Sequence, residues 1–117
     1  AWVPTYYAFG TPTTASATDY TTLGKNVFVG LGTDNTKGVC INDNGLFCIK
    51  TNDYDNSVIA LKNHFEESTC SATSSGFFRC DSDAFCCDAY SDGSVNCYDA
   101  SADVYCSVAS SGPVTCE

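Results

Sequence analysis

The residue types that could carry chemistry in this chain are nine cysteines, fourteen aspartates and glutamates, and a single histidine. Catalysis by a serine or cysteine nucleophile needs a general base, and His64 is the only histidine available for that role. It lies in the segment NHFEE beside Glu66 and Glu67, and no G-x-S-x-G motif occurs. We therefore expect His64 to be a surface or helix-end residue, and we predict no catalytic residue and no enzyme activity. The chain has no glycine-rich phosphate loop, so no cofactor is expected.

The cysteines are spaced for disulfides rather than for zinc. A structural zinc site uses two close cysteine pairs, or one cysteine pair with a histidine pair. This sequence contains no C-x-x-C motif and only one histidine. Because disulfides persist outside the reducing cytosol, the cysteine content predicts a secreted protein, located in the extracellular space or at the cell surface.

A cysteine motif is repeated three times. The pattern C-[SD]-[AV]-x-S-[SD]-G-x-[FV]-x-C occurs at residues 70–80, 87–97 and 106–116, and residues 40–48 form a shorter relative. The central Ser-Ser-Gly or Ser-Asp-Gly is typical of a three-residue hairpin loop whose glycine is left-handed. Each unit is therefore predicted to be a β-hairpin.

Folding each unit about its turn places its two cysteines opposite each other. Opposed residues on antiparallel strands have Cα atoms about 4.5–5.5 Å apart, which a disulfide can span. The simplest connectivity is four local disulfides: Cys40–Cys48, Cys70–Cys80, Cys87–Cys97 and Cys106–Cys116. Cysteines of neighbouring hairpins could pair with each other instead, and the sequence leaves this alternative open.

Cys86 is the odd cysteine. It adjoins Cys87 in the sequence and so points to the other face of the same strand. It is either a buried free thiol or an intermolecular link. We favour the buried thiol, because the neighbouring residues Ala84 and Phe85 are apolar.

Clusters of acidic and amide side chains suggest calcium as a possible metal. We expect five aspartates to gather at one end of the C-terminal hairpins, namely Asp81, Asp83, Asp88, Asp92 and Asp99. Asn52, Asp53, Asp55 and Asn56 form a second cluster. Neither cluster fits the EF-hand pattern. We therefore predict no metal site and retain Asp81, Asp83 and Asp92 as weak calcium candidates.

The pattern of short strands and frequent turns predicts a mainly β fold, either all-β or α+β. Residues 26–31 alternate as a strand, and residues 38–41 and 46–50 form the first hairpin. Residues 77–116 are predicted to be an antiparallel meander of hairpins, each closed by a disulfide. At most one short helix is expected, near residues 57–67, with Ser57 as its N-cap. The segment VIAL within that range is also compatible with a strand.

The N-terminal segment differs from the rest of the chain. Residues 1–24 have no clear periodicity, and their first part contains the aromatic residues Trp2, Tyr6, Tyr7 and Phe9. So many large aromatic side chains indicate docking, either onto the segment's own domain or onto a partner. We predict an extended aromatic arm over residues 1–24, with these four residues as partner contacts, and a single disulfide-rich β domain over residues 25–117.

The chain is acidic, with a formal net charge of -9. Residues 80–117 contain seven acidic residues and no lysine or arginine, whereas residues 1–79 contain seven acidic and five basic residues. This charge argues against nucleic acid and anionic membranes as partners. No apolar run approaches the roughly 20 residues that span a bilayer, so no direct membrane insertion is expected. The acidic half is expected to face solvent or a basic protein partner.

The order of these elements resembles the globular domain of type IV pilin-like proteins. The resemblance covers residues 20–117 and rests on the segment NVFVGLGTDNTKGVCINDNGLFCIKTND, the possible helix, and the acidic, disulfide-bearing meander with Cys116 near its end. It implies an antiparallel sheet packed on a helix, in a subunit of a surface filament or fimbrium. The long hydrophobic helix that assembles such filaments has no counterpart here. The resemblance therefore implies a head domain, or a subunit completed by a partner, and no functional residue carries over.

Two functions of different classes remain open. The first is an extracellular, non-enzymatic structural or interaction module that binds a protein partner, or itself, through the N-terminal arm. The second is a secreted cysteine-rich effector, toxin or inhibitor, which the size, acidity and disulfides suit equally. A partner in the native source would favour the first.

Overall fold

Two antiparallel β-sheets and one α-helix make up the described part of the chain, as the sequence predicts. The computed structural model describes Thr13–Thr14 and residues 26–31, 36–111 and 114–116. None of its helices within these residues has the length and apolar character needed to cross a membrane.

The first sheet has four strands in sequence order. They are β1 (Thr13–Thr14), β2 (Val27–Leu31), β3 (Lys37–Asn42) and β4 (Leu46–Lys50). Short β1 lies within the segment predicted to be an arm and pairs antiparallel with β2. Strands β3 and β4 form the predicted first hairpin, in which Cys40 lies opposite Cys48.

The second sheet has six strands and contains the three cysteine repeats. In order across the sheet they are β10 (Val114–Cys116), β9 (Val104–Val108), β8 (Val95–Asp99), β7 (Phe85–Tyr90), β6 (Phe77–Asp81) and β5 (Cys70–Ala72). Each pairs antiparallel with its neighbour, so the sheet is a meander.

The core lies between the sheets and beneath the helix. Strands β2 and β3 contact β8 and β9. Alternate residues along the strands point to the same face, and the inward-facing cysteines of the six-stranded sheet, such as Cys87 and Cys97, are fully buried. Among the described residues, Phe47 on β4 is the largest side chain that is fully buried. Because the two sheets bury their facing sides, the outer face of the six-stranded sheet is left for other contacts.

One short helix lies near the predicted range, but it begins and ends three residues earlier. α1 spans Tyr54–His64, and a 3-10 turn follows at Glu67–Thr69. Ser57 is not its N-cap but a buried residue of the first turns, with its Oγ 3.5 Å from the carbonyl oxygen of Lys50. Ser57 was mistaken for a cap because serine favours caps, whereas its burial against β4 places it inside the helix.

The predicted local disulfide pairs are the ones present. Cys40–Cys48, Cys70–Cys80, Cys87–Cys97 and Cys106–Cys116 are bonded, each with a Cα–Cα distance of 4.1 Å. The turn glycines Gly76 and Gly93 have φ values of +89° and +97°, as a left-handed loop position requires. A Cβ at Gly93 would lie 2.6 Å from Oδ1 of Asn52, so this turn is packed closely against the segment that follows β4.

Candidate functional site

The outer face of the six-stranded sheet carries aromatic and charged side chains, and we call it the tyrosine face. Its side chains alternate with the buried cysteines along β6–β9 and surround a shallow pocket of about 350 Å³. The residues that define it are Arg79, Cys86, Asp88, Tyr90, Tyr98 and Tyr105.

An ion pair and an aromatic stack make one half of the tyrosine face rigid. Arg79 lies opposite Asp88 in the register of β6 and β7. Its Nε and Nη2 donate to the two carboxylate oxygens, at 2.6 and 2.9 Å. The Asp88 side chain is only 5% exposed and that of Arg79 is 45% exposed. These hydrogen bonds raise the pKa of Arg79 further above its usual value. Arg79 also lies 5.3 Å from the ring centroid of Phe77, which stacks on Tyr90 at 4.9 Å.

Two tyrosines form the other half of this face. Tyr98 on β8 lies opposite Tyr105 on β9. The Tyr98 hydroxyl donates to Oδ1 of Asp103 at 2.8 Å, and this hydrogen bond raises the pKa of Tyr98. Tyr105 is 37% exposed. A protein partner could therefore bury an aromatic ring here at a small entropic cost, because the surrounding strands are already held by disulfides.

Cys86 is a free thiol on the tyrosine face, as the sequence led us to favour, but it is half-buried rather than buried. Its cross-strand neighbours are Asp81 and Tyr98, which are polar. The sequence neighbours Ala84 and Phe85 misled the prediction, since cross-strand neighbours decide what a strand residue contacts. Desolvation, followed by the charge of Asp88, raises the pKa of Cys86 to about 11.

Cys86 is therefore expected to react slowly with alkylating agents. Only the thiolate is nucleophilic, and a pKa of about 11 instead of 9.0 lowers the thiolate fraction about 100-fold at about pH 8 and below. The rate of iodoacetamide modification of Cys86, followed by mass spectrometry, should rise about tenfold per pH unit until it levels near pH 11. The urea-unfolded chain is the control, and should level near pH 9. A native profile that also levels near 9 would contradict the assignment.

A second depression surrounds the end of α1, and we call it the histidine pocket. It measures about 310 Å³ and is acidic, since Asp43, Glu66, Asp81 and Asp83 line it together with His64. Aspartates from two turns therefore meet near the single histidine. This arrangement would favour a basic side chain of a partner over an anionic ligand.

His64 is held in place by its neighbours. Its ring stacks on Phe47 at a centroid distance of 4.1 Å and meets Phe65 edge-on at 5.2 Å. Its Nε2 lies 3.0 Å from Oδ2 of Asp43. The position at the helix end agrees with the sequence prediction, but the contact with Asp43 has no local signal in the sequence.

Two hydroxyl groups of the histidine pocket make hydrogen bonds with the main chain. The Thr69 hydroxyl donates to the carbonyl oxygen of Glu66 at 2.7 Å. The Ser82 hydroxyl donates to the carbonyl oxygen of Phe85 and accepts hydrogen bonds from the amides of Ala84 and Phe85. These contacts are those of turn residues, and they direct both hydroxyls toward the main chain rather than toward His64.

The prediction that five aspartates gather at one end of the hairpins is wrong for Asp92, whereas Asp99 does lie at the same end as Asp81 and Asp83. Asp81 and Asp83 lie at the turn between β6 and β7, whereas Asp92 lies at the turn between β7 and β8. These turns are at opposite ends of β7, which is about 20 Å long. Asp92 instead accepts a hydrogen bond from the amide of Ser94 at 2.9 Å, which lowers the pKa of Asp92. Within the described residues no three His, Cys, Asp or Glu side chains are placed to hold a metal ion.

Asp99 is a buried carboxylate that the sequence analysis did not single out as buried. It is 1% exposed, and its Oδ1 accepts hydrogen bonds from the amide and hydroxyl of Ser101. Its Oδ2 is buried and has no hydrogen-bond partner among the described residues. The signal was present in the sequence, because Asp99 continues the alternation of the inward-facing Val95 and Cys97.

The four aromatic residues predicted to contact a partner lie outside the described residues. They are Trp2, Tyr6, Tyr7 and Phe9.

Comparison of the chain with protein-family models, curated proteins and solved structures found no significant match.

Proposed function

We propose that this protein is an extracellular, non-enzymatic structural or interaction module, a pilin-like subunit of a surface assembly. The observation that carries the proposal is the tyrosine face. One side of the six-stranded sheet is buried, and the other presents tyrosines beside an arginine ion pair. Tyrosine and arginine dominate the binding energy of protein interfaces.

The disulfides support a binding role in an oxidising setting. Four of them join neighbouring strands, and such cross-links persist outside the cytosol. They also restrict the strands that present the tyrosine face, which lowers the entropy lost on binding. In this proposal the aromatic arm, through Trp2, Tyr6, Tyr7 and Phe9, supplies the second contact.

The test is co-purification of the protein from its native source, combined with light scattering. Deleting residues 1–10 or changing Tyr105 to alanine should each release the protein from its assembly. Ile59→Ala is the matched control, because Ile59 is an exposed apolar residue on α1, at 48% exposure. An assembly that survives both changes would contradict the proposal. A native protein that is strictly monomeric would instead favour a secreted effector, toxin or inhibitor.

A further inference from the structure

Six cysteines form one continuous row across the six-stranded sheet. The register places each of them opposite the next, in the order Cys70, Cys80, Cys87, Cys97, Cys106 and Cys116. Three neighbouring pairs in this row are disulfides, and they alternate with two pairs that are not bonded. The row therefore has two possible pairings, shifted by one cysteine.

The shifted pairing lies within the Cα–Cα range of a disulfide. The bonded pairs have Cα–Cα distances of 4.1 Å, typical of the closely spaced pairs that exchange no backbone hydrogen bonds. The amide and carbonyl of each cysteine therefore point to its other neighbour. Cys80 and Cys87 are therefore a hydrogen-bonded pair, and so are Cys97 and Cys106. The Cα atoms of such a pair lie about 5.5 Å apart. A disulfide can span that distance as well.

The row ends at the two edge strands of the sheet. Cys70 lies on β5 and Cys116 on β10, and no described strand lies beyond either one. Because both cysteines are bonded inward in closely spaced pairs, both carbonyls and the amide of Cys116 point out of the sheet. The amide of Cys70 already donates to the carbonyl oxygen of Glu67 in the 3-10 turn. Both are half-buried, unlike the fully buried Cys87 and Cys97 between them.

The two edges are complementary to each other. Strands β5 and β10 run in opposite directions, since the sheet is antiparallel and has an even number of strands. A second copy can therefore place its β10 against β5 with Cys116 opposite Cys70 and Thr115 opposite Ser71. Neither edge strand contains a charged residue or proline, two of the protections against edge pairing, although both strands are only three residues long, which also limits pairing.

We infer that copies of this chain join head to tail through β5 and β10, closed by a disulfide between Cys70 and Cys116 of the next copy. This inference rests on the proposed role as an assembly module and identifies one partner as a second copy. Three paired residues form too few hydrogen bonds to offset the entropy of association. The disulfide therefore decides whether the contact persists.

The bond forms by thiol–disulfide exchange along the row, with a small-molecule thiol as co-reactant. Its thiolate attacks Sγ of Cys116, forms a mixed disulfide there and releases the thiolate of Cys106. Cys106 then attacks Cys97 and releases Cys87, which attacks Cys80 and releases Cys70. In each step the attacking sulfur, the attacked sulfur and the leaving sulfur lie along the row.

The last exchange joins two copies. The Cys70 thiolate attacks Cys116 in the mixed disulfide of the next copy and releases the small thiol. Every step makes one disulfide and breaks one, so no oxidant is consumed. Because the contact joins different surfaces of the two copies, it repeats and extends into a filament unless the rotation closes a ring.

The first test uses the full chain with Cys86→Ser, so that no unrelated thiol takes part. Concentrated protein is incubated with substoichiometric reduced glutathione, quenched with acid, and run on a non-reducing gel. A ladder of covalent multimers is expected, with Cys70–Cys116 cross-links between isotope-labelled and unlabelled copies. A protein that stays monomeric, or multimers linked through other cysteines, would overturn the inference.

The second test mixes Cys70→Ser and Cys116→Ser variants, each carrying Cys86→Ser. Exchange along the row leaves the free thiol at Cys116 in the first variant and at Cys70 in the second. With oxidised glutathione as oxidant, the mixture should form a heterodimer and stop there, because no edge thiol remains. Cys40→Ser mixed with Cys48→Ser is the control and should stay monomeric, since that pair is fully buried.

The two proposals fail separately. The variants at Cys70 and Cys116 leave residues 1–10 and Tyr105 unchanged. If the native assembly still depends on the arm or on Tyr105 but no heterodimer forms, only the edge contact is wrong. If the heterodimer forms while deletion of the arm and Tyr105→Ala leave the native assembly intact, the edge contact stands and the proposed binding surfaces are wrong.

Discussion

Replacing Cys116 with serine is expected to expose a free thiol at Cys70, on the opposite edge of the sheet, rather than at its former partner Cys106. The change leaves Cys106 unpaired beside Cys97 in the register of β8 and β9. Two exchanges then move the unpaired sulfur through Cys87 to Cys70, with the number of disulfides unchanged. Alkylation at the half-buried Cys70 traps the product, because Cys87 and Cys106 are fully buried.

The measurement is peptide mapping of the native protein after alkylation, in a Cys86→Ser background. Most of the label should be on Cys70, and labelling should accelerate as the pH rises, because exchange needs a thiolate. Cys48→Ser is the matched control. It frees Cys40, which is fully buried and has Phe28 rather than a cysteine as its other neighbour. Its label should appear only after unfolding.

Label confined to Cys106 would show that the row does not exchange. It would also remove the chemical step on which the head-to-tail disulfide depends. Label on Cys70 in the Cys116→Ser protein, with none on native Cys40 in the control, would establish exchange within one chain. Association between copies would remain a separate question for the mixing experiment.

The hairpins could be predicted from the sequence because their determinants are local. In each repeat a glycine marks the turn, and the two cysteines lie at equal distances from the residue before that glycine, so the pairing follows from folding about one point. Gly76 and Gly93 adopt the positive φ values that this reading requires. The sequence left pairing between neighbouring repeats open, and the same operation applied to the linker 81–86 brings Cys80 opposite Cys87.

Other features depend on contacts that the sequence does not show. His64 and Asp43 meet although they are 21 positions apart. The residues that surround Cys86 lie on the two strands that pair with β7. Asp81 and Asp92 are separated because they lie at opposite ends of β7. The start of α1 was predicted three residues too late because a serine suits both an N-cap and a small buried position. Only the packing of Ser57 against β4 distinguishes these two roles.

Replacing Phe47 with alanine is expected to destabilise the protein by about 3–5 kcal/mol. Phe47 is fully buried on β4, and its ring contacts His64 in a stack and Phe65 edge-on, at centroid distances of 4.1 and 6.1 Å. Alanine removes the ring and leaves a cavity whose lining cannot fully collapse. The loss is a large part of the roughly 5–15 kcal/mol that holds a domain of this size folded.

Urea unfolding with the disulfides intact is the measurement. The midpoint should fall by at least about 1 M at an unchanged slope. Leu46→Ala is the matched control, because Leu46 precedes Phe47 on β4, points to the other face and is half-buried. Its cost should stay below about 2 kcal/mol.

The histidine pocket should respond to the same change. Without the Phe47 ring, His64 loses the surface on which its imidazole is stacked, so its contact with Asp43 should weaken. Nuclear magnetic resonance of the His64 ring in the folded protein should then show shifts in Phe47→Ala that are absent in Leu46→Ala. Equal midpoints for the two variants, or an unchanged His64 signal, would contradict the view that Phe47 joins the first sheet to the histidine pocket.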